Sequence, residues 1–247
     1  SEARLYDSAR IGASATSVEP TKYSDVVRPP LGRTLTQAWK SGGIVHDWGR
    51  GRPRVVVLGS SHALMFGSLL DDICRQLEVP VAFLSAQASR AFFDVAENSP
   101  KFDAARRRYL REWNPDLVVV IDRWDWGGGA HTATEFDRRL RELLAELEPH
   151  TRRVLLFSQI PSLRLGEELN LRELVGWKRT RNGTFPTNAP DANEPLRQSM
   201  AATMETVARE HPKVRILRAD RPFYLPDGSI RYASGRDFYY LDDDHLT

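Results

Sequence analysis

The stretch that decides the fold of this chain reads Val55-Val56-Val57-Leu58-Gly59-Ser60-Ser61-His62-Ala63. A run of β-branched and other apolar residues ends in a glycine and two serines, and a helical pattern begins directly after them. A continuous apolar run is typical of a parallel strand that is buried on both faces. The stretch therefore predicts a strand, a tight turn and the start of a helix.

The same alternation of strand and helix patterns continues along the rest of the chain. Apolar runs predict strands at residues 55–58, 79–84, 117–121, 154–158 and 214–217. Helical spacing of apolar residues predicts helices at 63–77, 99–113, 134–147 and 194–210. Because parallel strands joined by helices bury both faces of a sheet, we expect a three-layer α/β/α sandwich around a central parallel sheet of about five strands.

Two regions lack this alternation. Residues 1–50 contain several prolines and glycines and little apolar periodicity, which predicts an irregular N-terminal arm with a short helix near 35–40. We expect the arm to wrap a domain at 51–247. Within that domain, residues 164–193 are polar and rich in turn-forming residues, a pattern typical of an excursion or lid rather than of core.

The overall charge bears on one class of protein, those that bind nucleic acid, and leaves only a local basic patch open for such binding. The 35 basic and 33 acidic residues leave a net charge of +2, which argues against a protein that binds nucleic acid through bulk charge. The arginines at 106–108 follow a helical pattern and are expected on a solvated helix face.

No apolar stretch is long enough to span a bilayer, and the chain begins with Ser1 rather than Met. We therefore expect a processed piece with a signal or membrane region upstream.

A single cysteine, Cys74, excludes an internal disulfide. It lies in the predicted helix at 63–77, whose apolar residues are expected to form one buried face: Leu64, Leu69, Leu70, Ile73 and Leu77. We expect Cys74 to be a core residue rather than a nucleophile. Because the sequence has no cluster of Cys and His, it predicts no metal site.

Two segments at opposite ends of the domain supply the residues of an acyl-transfer site. Ligands of an open parallel sheet bind beyond the carboxyl ends of its strands, where Gly59 and Ser61 are predicted to lie. The amides and the dipole at a helix start stabilise a developing oxyanion. A serine nucleophile needs a base. The final segment offers His245, with Asp242 to orient it, in the run Asp242-Asp243-Asp244-His245-Leu246-Thr247.

Each of these signals also has a plain structural interpretation. A pair of serines after a strand is often only a helix N-cap. An acidic run with a histidine near a terminus is often a solvated tail. Their occurrence together, at the two ends of one α/β pattern, favours the catalytic interpretation.

The two segments also resemble sequence blocks of a known family. Residues 59–63 resemble the first block of the SGNH (GDSL-like) hydrolase superfamily, and the final segment resembles its last block, Asp-x-x-His. One branch of this superfamily is matched by three further features of the sequence. The branch comprises SGNH domains fused to membrane acyltransferases that O-acetylate bacterial surface glycans. The features that resemble it are the histidine directly after the serine, the pair Arg123-Trp124, and the pair Tyr239-Tyr240. The resemblance covers about residues 54–247 and implies an SGNH-type, flavodoxin-like sandwich.

The resemblance implies a role for each matching residue. Ser61 would be the nucleophile, His245 the general base and then acid, and Asp242 the orienting acid. Ser60 stands where the family usually has an aspartate. The family's usual oxyanion glycine and asparagine have no clear match. The candidates for oxyanion stabilisation or substrate contact are therefore Gly59, Ser89, Arg90, Arg123 and Trp124.

The hypothesis is a Ser61-dependent transfer of an O-acyl group, expected to be acetyl, to or from carbohydrate. It implies a glycan or small carbohydrate acceptor, an acyl donor supplied by an upstream membrane domain, and a location outside the cytoplasm, in the periplasm or at the cell surface. No cofactor and no nucleic acid are expected. Two alternatives stay open: a free-standing carbohydrate acetylesterase, and an SGNH-fold glycan-binding domain with impaired catalysis. A lipase-like esterase is a third, which the polar residues 164–193 do not favour.

Overall fold

The structure is a computed structural model that describes residues 51–86, 88–125, 132–163, 188–191, 193–234, 237–240 and 246. These residues form two compact units. The larger unit takes its described residues from 51–159 and 196–218, and the smaller from 160–195 and 219–246. The predicted arm and its short helix lie outside the described residues, so the division into an arm at 1–50 and a domain at 51–247 stays a prediction.

Strands and helices alternate along the described chain. In order they are β1 (Val55–Gly59), α1 (Ser61–Met65), α2 (Gly67–Gln76), β2 (Val81–Ser85), α3 (Pro100–Trp113), β3 (Leu117–Ile121), α4 (Ala133–Leu147), β4 (Arg153–Phe157), β5 (Asn188–Ala189), α5 (Glu194–Glu210), β6 (Val214–Leu217), β7 (Ile230–Arg231), β8 (Ala233–Ser234) and β9 (Asp237–Phe238). Four two-residue strands, β5, β7, β8 and β9, belong to the smaller unit, and α5 enters the larger unit at Leu196.

The larger unit is built on a five-stranded parallel sheet in the order β2-β1-β3-β4-β6. The direction of travel across the sheet reverses after β2. Because connections between parallel strands are right-handed, this reversal places α1 and α2 on one face and α3, α4 and α5 on the other. The predicted α/β/α sandwich with a central parallel sheet is confirmed.

One face of the sheet carries the main core. The strands contribute alternate residues, which are buried together with side chains of α4 and α5: Val56, Leu58, Val118, Val120, Val154, Leu156, Phe136, Leu140, Leu143, Leu144, Met200, Met204 and Val207. Burying a side chain of this size stabilises the fold by about 1.5–3 kcal/mol relative to leaving it exposed. The sheet edge that carries the strand ends is therefore fixed by a large packed core.

The single helix predicted at 63–77 is interrupted in the structure. α1 ends and α2 begins at Phe66, whose φ and ψ of −86° and 2° break the helical path. The Phe66 ring packs edge-on against Phe157 at a centroid distance of 5.5 Å. Gly67 follows, and glycine is the poorest ordinary helix former. Packing of Phe66 and the weak helix propensity of Gly67 together account for the break.

The break also changes which face of the helix is buried. Gly67, Asp71 and Cys74 face inwards in α2, with Arg75 donating to the Asp71 carboxylate at 2.5 Å. Most of the apolar face predicted for this helix is exposed: Leu69 by 55%, Ile73 by 42% and Leu77 by 67%. The prediction of a buried face was wrong for these three residues, and right for Cys74.

The prediction that residues 106–108 lie on a solvated helix face was also wrong in part. Arg106 is fully buried, and its guanidinium donates to the carbonyls of Arg90 and Ala91 at 2.7 and 2.8 Å. Burial lowers the pKa of Arg106 to about 10. Only the charge of Arg106 was visible in the sequence, whereas the carbonyls that it binds come from a loop that is distant along the chain.

The smaller unit joins short segments by antiparallel pairing. β5 pairs with β7, and β8 pairs with β9. Leu163 and Asp191 form an isolated antiparallel bridge, and the Tyr224 hydroxyl donates to the Asp191 carboxylate at 2.6 Å. Leu163 and Asp191 therefore lie side by side. Most of the predicted excursion at 164–193, which joins them, lies outside the described residues.

Candidate active site

The two serines after β1 have different environments. Ser60 is the N-cap of α1, is buried, and accepts a hydrogen bond from the His62 amide on its Oγ at 3.3 Å. It thereby takes the capping role that an aspartate would also fill. Ser61 is the first residue of α1 and is partly exposed at the carboxyl end of the sheet. Of the two serines, Ser61 is the one whose side chain is not used as the helix cap.

The helix that Ser61 begins is short. α1 has five residues, which is less than one and a half turns. The macrodipole is the sum of aligned peptide dipoles, so this helix contributes less than the long helix that the sequence predicts. A charge that developed beside Ser61 would therefore be stabilised more by individual hydrogen-bond donors than by the helix as a whole.

Gly59 allows β1 to approach β3 closely at the turn into α1. Its φ is +155°, a conformation that residues with a Cβ rarely adopt. A Cβ at this position would lie 1.7 Å from the carbonyl oxygen of Ile121 and 2.8 Å from its carbonyl carbon. The backbone of β3 leaves no space for any side chain, so the turn before Ser61 requires glycine.

The loop after β2 places Ser89 and Arg90 beside this turn, and both amides have partners. The Ser89 amide donates to the Ala86 carbonyl at 3.1 Å. The Arg90 amide donates to Asn98 Oδ1 at 2.8 Å. Both side chains are buried. For either amide to stabilise an oxyanion, it would have to exchange an existing hydrogen bond.

At the end of β3, Trp124 belongs to the core and Arg123 reaches solvent. The Trp124 indole is buried, donates to the Phe157 carbonyl at 2.9 Å and packs against Phe92 and Phe136. The Arg123 side chain is 26% exposed, with Nε 3.5 Å from the Asp125 carboxylate. Among the candidates named from the sequence, Arg123 is the one whose long side chain extends to the surface.

Asp125 is a buried anion within this edge of the sheet. Its carboxylate accepts from Gln159 Nε2 at 2.7 Å and from Arg197 at 2.6 Å. Its own amide donates to Gln159 Oε1 at 3.0 Å. An ionised carboxylate only accepts hydrogen bonds, so Asp125 cannot donate to an oxyanion. Its position between Arg197 and Arg123 suits it to hold Arg123 in place.

A buried polar network that the sequence analysis did not anticipate links the loops after β2 and β3. Asp122 accepts the amides of Ala91 and Arg123 at 2.7 and 2.8 Å. Arg90 donates to the Arg123 carbonyl at 2.7 Å, and Arg106 holds the carbonyl of Arg90 from the other side. In the sequence, Arg90 and Arg123 were candidates only for oxyanion stabilisation or substrate contact, and Asp122 was visible only as a charged residue directly after a buried strand. The network fixes both loops relative to each other.

Comparison with known proteins identifies the family. The sequence matches the family model of the SGNH domain that is fused to AT3 domains, over residues 34–247. The chain belongs to this SGNH family. The match begins within the predicted N-terminal arm. No curated protein sequence matches the chain.

The chain is also similar to several solved structures. The periplasmic domain of a lipopolysaccharide acetyltransferase from Salmonella ser. Paratyphi A superposes with a TM-score of 0.68 at 16% identity, covering 96% of this chain and 93% of that domain. A GDSL-like lipase from Bacteroides thetaiotaomicron has a TM-score of 0.47 at 15% identity, covering 78% and 80% of the two chains. A variant of an acetyl-xylooligosaccharide esterase from Geobacillus has a TM-score of 0.42 at 12% identity, covering 72% and 80%.

The acid and base predicted for this SGNH domain, Asp242 and His245, lie outside the described residues. Tyr240 and Leu246, which flank the segment 241–245, are described. Tyr240 and Leu246 form an antiparallel bridge, and the buried Tyr240 hydroxyl donates to the Pro161 carbonyl at 2.9 Å. The Tyr240 ring also packs edge-on against Phe223. The chain is therefore anchored immediately before and after the segment that carries the two predicted residues.

Two further properties concern only the described part of the chain. No group of three or more His, Cys, Asp or Glu side chains within it is placed to hold a metal ion. None of its helices is both long enough and apolar enough to cross a membrane.

We expect Cys74 of the SGNH domain to resist thiol reagents in the folded protein. The thiol is buried, and burial followed by the nearby Asp71 carboxylate raises its pKa to about 11. Because the thiolate is the reactive form, little of it exists at pH 8. Titration with a chromogenic disulfide reagent should detect about one thiol per chain only after denaturant is added. Rapid labelling of the native protein would contradict this environment.

Proposed function

We propose that this SGNH domain transfers an O-acyl group, most simply acetyl, to or from carbohydrate through an acyl-enzyme on Ser61. The observation that carries the proposal is the placement of Ser61. It lies partly exposed, directly after a buried parallel strand, while its neighbour Ser60 serves as the helix cap. Membership of a family of SGNH domains fused to AT3 domains supports the same chemistry.

The proposed reaction uses Ser61 with His245 and Asp242. Ser61 Oγ attacks the acyl carbonyl while the imidazole of His245 takes its proton, and Asp242 stabilises the imidazolium. The tetrahedral intermediate expels the donor's oxygen, which receives the proton from His245. A carbohydrate hydroxyl then attacks the acyl-enzyme, with His245 again acting as base, and Ser61 regains its proton. If water replaces the carbohydrate, the same site acts as an esterase.

Arg123 is proposed as the side chain that meets the substrate. A guanidinium provides hydrogen-bond donors and no acceptor, which suits a developing oxyanion or an acyl carbonyl oxygen. Its partial exposure and its contact with the Asp125 carboxylate support this role. Gly59 contributes by letting the backbone turn closely under Ser61. The buried Ser89, Arg90 and Trp124 side chains are better suited to supporting the site than to contacting substrate.

The proposed partners follow from the same reaction. An acyl donor would be supplied by a membrane acyltransferase domain of the AT3 type, and the acceptor would be a glycan or a small carbohydrate. The Salmonella structure is described as a lipopolysaccharide acetyltransferase periplasmic domain. By analogy, we propose that this domain also works outside the cytoplasm, at the cell envelope.

One experiment tests the proposed reaction. The protein is incubated with p-nitrophenyl acetate and a set of neutral oligosaccharides, and mass spectrometry follows acetate and acetylated sugar. A sulfonyl fluoride, which modifies activated serines, is added in parallel. We expect turnover above the buffer rate, and a sulfonylated peptide that contains Ser61. Acetylated sugar would favour the transferase and acetate alone the esterase alternative.

A result without turnover would leave the glycan-binding alternative. One observation favours that alternative, since the amides of Ser89 and Arg90 are already hydrogen-bonded rather than aimed at a substrate. Absence of turnover and absence of the sulfonylated peptide, together with retained binding of an oligosaccharide, would contradict the catalytic proposal.

A further inference from the structure

The Ser89 side chain is hydrogen-bonded to the turn that carries the nucleophile. Its hydroxyl is fully buried and lies 2.7 Å from the Gly59 carbonyl oxygen, two residues before Ser61. It also lies 2.8 Å from the Ala86 carbonyl and accepts the Ala86 amide at 3.0 Å. A hydroxyl has one proton, so it donates to one of the two carbonyls at a time, and the contact with Gly59 is the shorter.

The loop that carries Ser89 is shaped to keep this contact. The Ser89 amide donates to the Ala86 carbonyl, which closes a tight turn. Ala88, inside the turn, has a φ of +61°. This left-handed conformation is unfavourable for a residue with a Cβ, and a strained residue persists only where its surroundings fix it. The Ser89 hydroxyl and amide supply part of that constraint, because both bind Ala86.

We propose that Ser89 is a positioning residue for Ser61, acting through the Gly59 carbonyl. The proposal rests on the proposed function, because it assigns a role in the same reaction. The Gly59 carbonyl belongs to the planar peptide group that joins Gly59 to Ser60. Fixing its oxygen fixes the plane of that peptide, and with it the direction in which the chain enters α1. Ser61 Oγ is thereby held in one orientation relative to the end of the sheet.

Ser85 provides a matched control for this contact. Ser85 is also fully buried. Its hydroxyl donates at 3.2 Å to the carbonyl of Val57, which lies in β1, the strand that ends at Gly59. Val57 lies four residues before Ser61, inside β1, where the sheet hydrogen bonds on both sides hold the backbone. Loss of the Ser85 hydroxyl therefore removes the same kind of bond without releasing the turn at Gly59.

The test compares Ser89→Ala with Ser85→Ala in the acetyl-ester assay, with thermal unfolding measured for both. We expect Tm to fall for both variants, and by more for Ser89→Ala, because the Ser89 hydroxyl also accepts the Ala86 amide. We expect kcat to fall about 10- to 100-fold for Ser89→Ala, because a small misplacement of a reacting group costs up to about 10²-fold. KM should stay within about twofold, and Ser85→Ala should keep kcat within about threefold. Ser89→Cys, which retains a weak donor on a larger sulfur atom, should give an intermediate kcat.

Equal kcat values for Ser89→Ala and Ser85→Ala would overturn the positioning role while leaving the proposed function intact. If Ser89→Ala does not fold at the assay temperature, Ser89→Cys takes its place in the same comparison and is judged in the same way. A wild-type protein without turnover and without sulfonylation of Ser61 would overturn both the proposed function and the role of Ser89.

Discussion

Replacement of Ser61 by alanine is expected to lower the kcat for acetyl-ester turnover by about 10⁴-fold or more. The expectation follows from the proposed acyl-enzyme, which cannot form without the Ser61 hydroxyl. Residual turnover would come from the binding and oxyanion groups alone. The overall fold should be unchanged, since the Ser61 side chain is partly exposed and Ser60 supplies the cap of α1.

Two other serines separate loss of the nucleophile from loss of a helix cap. Ser99 caps α3 by accepting the Phe102 amide at 3.2 Å, and Ser60 caps α1. Alanine at either position should lower the free energy of unfolding by about 1 kcal/mol. Ser99→Ala should keep the wild-type kcat, and Ser60→Ala should keep sulfonylation at Ser61. A Ser61→Ala variant that turns over as fast as the wild type would rule out the triad.

Gly59→Ala is expected to have the largest effect on stability, at about 4 kcal/mol or more. The added Cβ would lie 1.7 Å from a backbone oxygen of β3, which cannot move aside as a flexible side chain could. Both the steric overlap and the unfavourable φ of +155° act at this position. We expect a large fall in Tm by circular dichroism, and little folded protein at 37 °C.

A substitution at Gly228 distinguishes the cost of the unfavourable φ from the cost of the steric overlap. Its φ is +82°, and an added Cβ would meet no atom within 4 Å. Gly228→Ala should therefore cost only the conformational strain, about 1–2 kcal/mol. Equal shifts of Tm in the two variants would mean that the close approach of Gly59 to β3 does not exist in solution.

The sequence predicts the sheet well because β1, β2 and β3 are continuous apolar runs that are buried on both faces. β3 and β6 have the predicted bounds, and β4 is displaced by one residue. Helix starts are also predictable where a capping residue is present, as at Ser99, which is followed by Pro100. These signals are local, so no knowledge of the tertiary structure is needed to recognise them.

The features that the sequence does not predict depend on contacts between distant residues. The break at Phe66 is fixed by the ring of Phe157, and the burial of Arg106 is made possible by carbonyls of the loop after β2. Neither partner can be identified from helical spacing. In the candidate site, Ser61 could be chosen from the pattern, whereas the hydroxyl contact from Ser89 to Gly59 joins residues 30 positions apart.

The bridge between Leu163 and Asp191 has a consequence for how the chain can vary. Where two ends of a connection already lie side by side, the entropy of closing that connection rises slowly with its length, by about 0.6 kcal/mol for each doubling. Residues can thus be gained, lost or exchanged between Leu163 and β5 without altering either this bridge or the pairing of β5 with β7. Relatives with the same sheet are free to carry connections of very different size and chemistry at this point, and a grafted segment from one of them would need only to match the two ends.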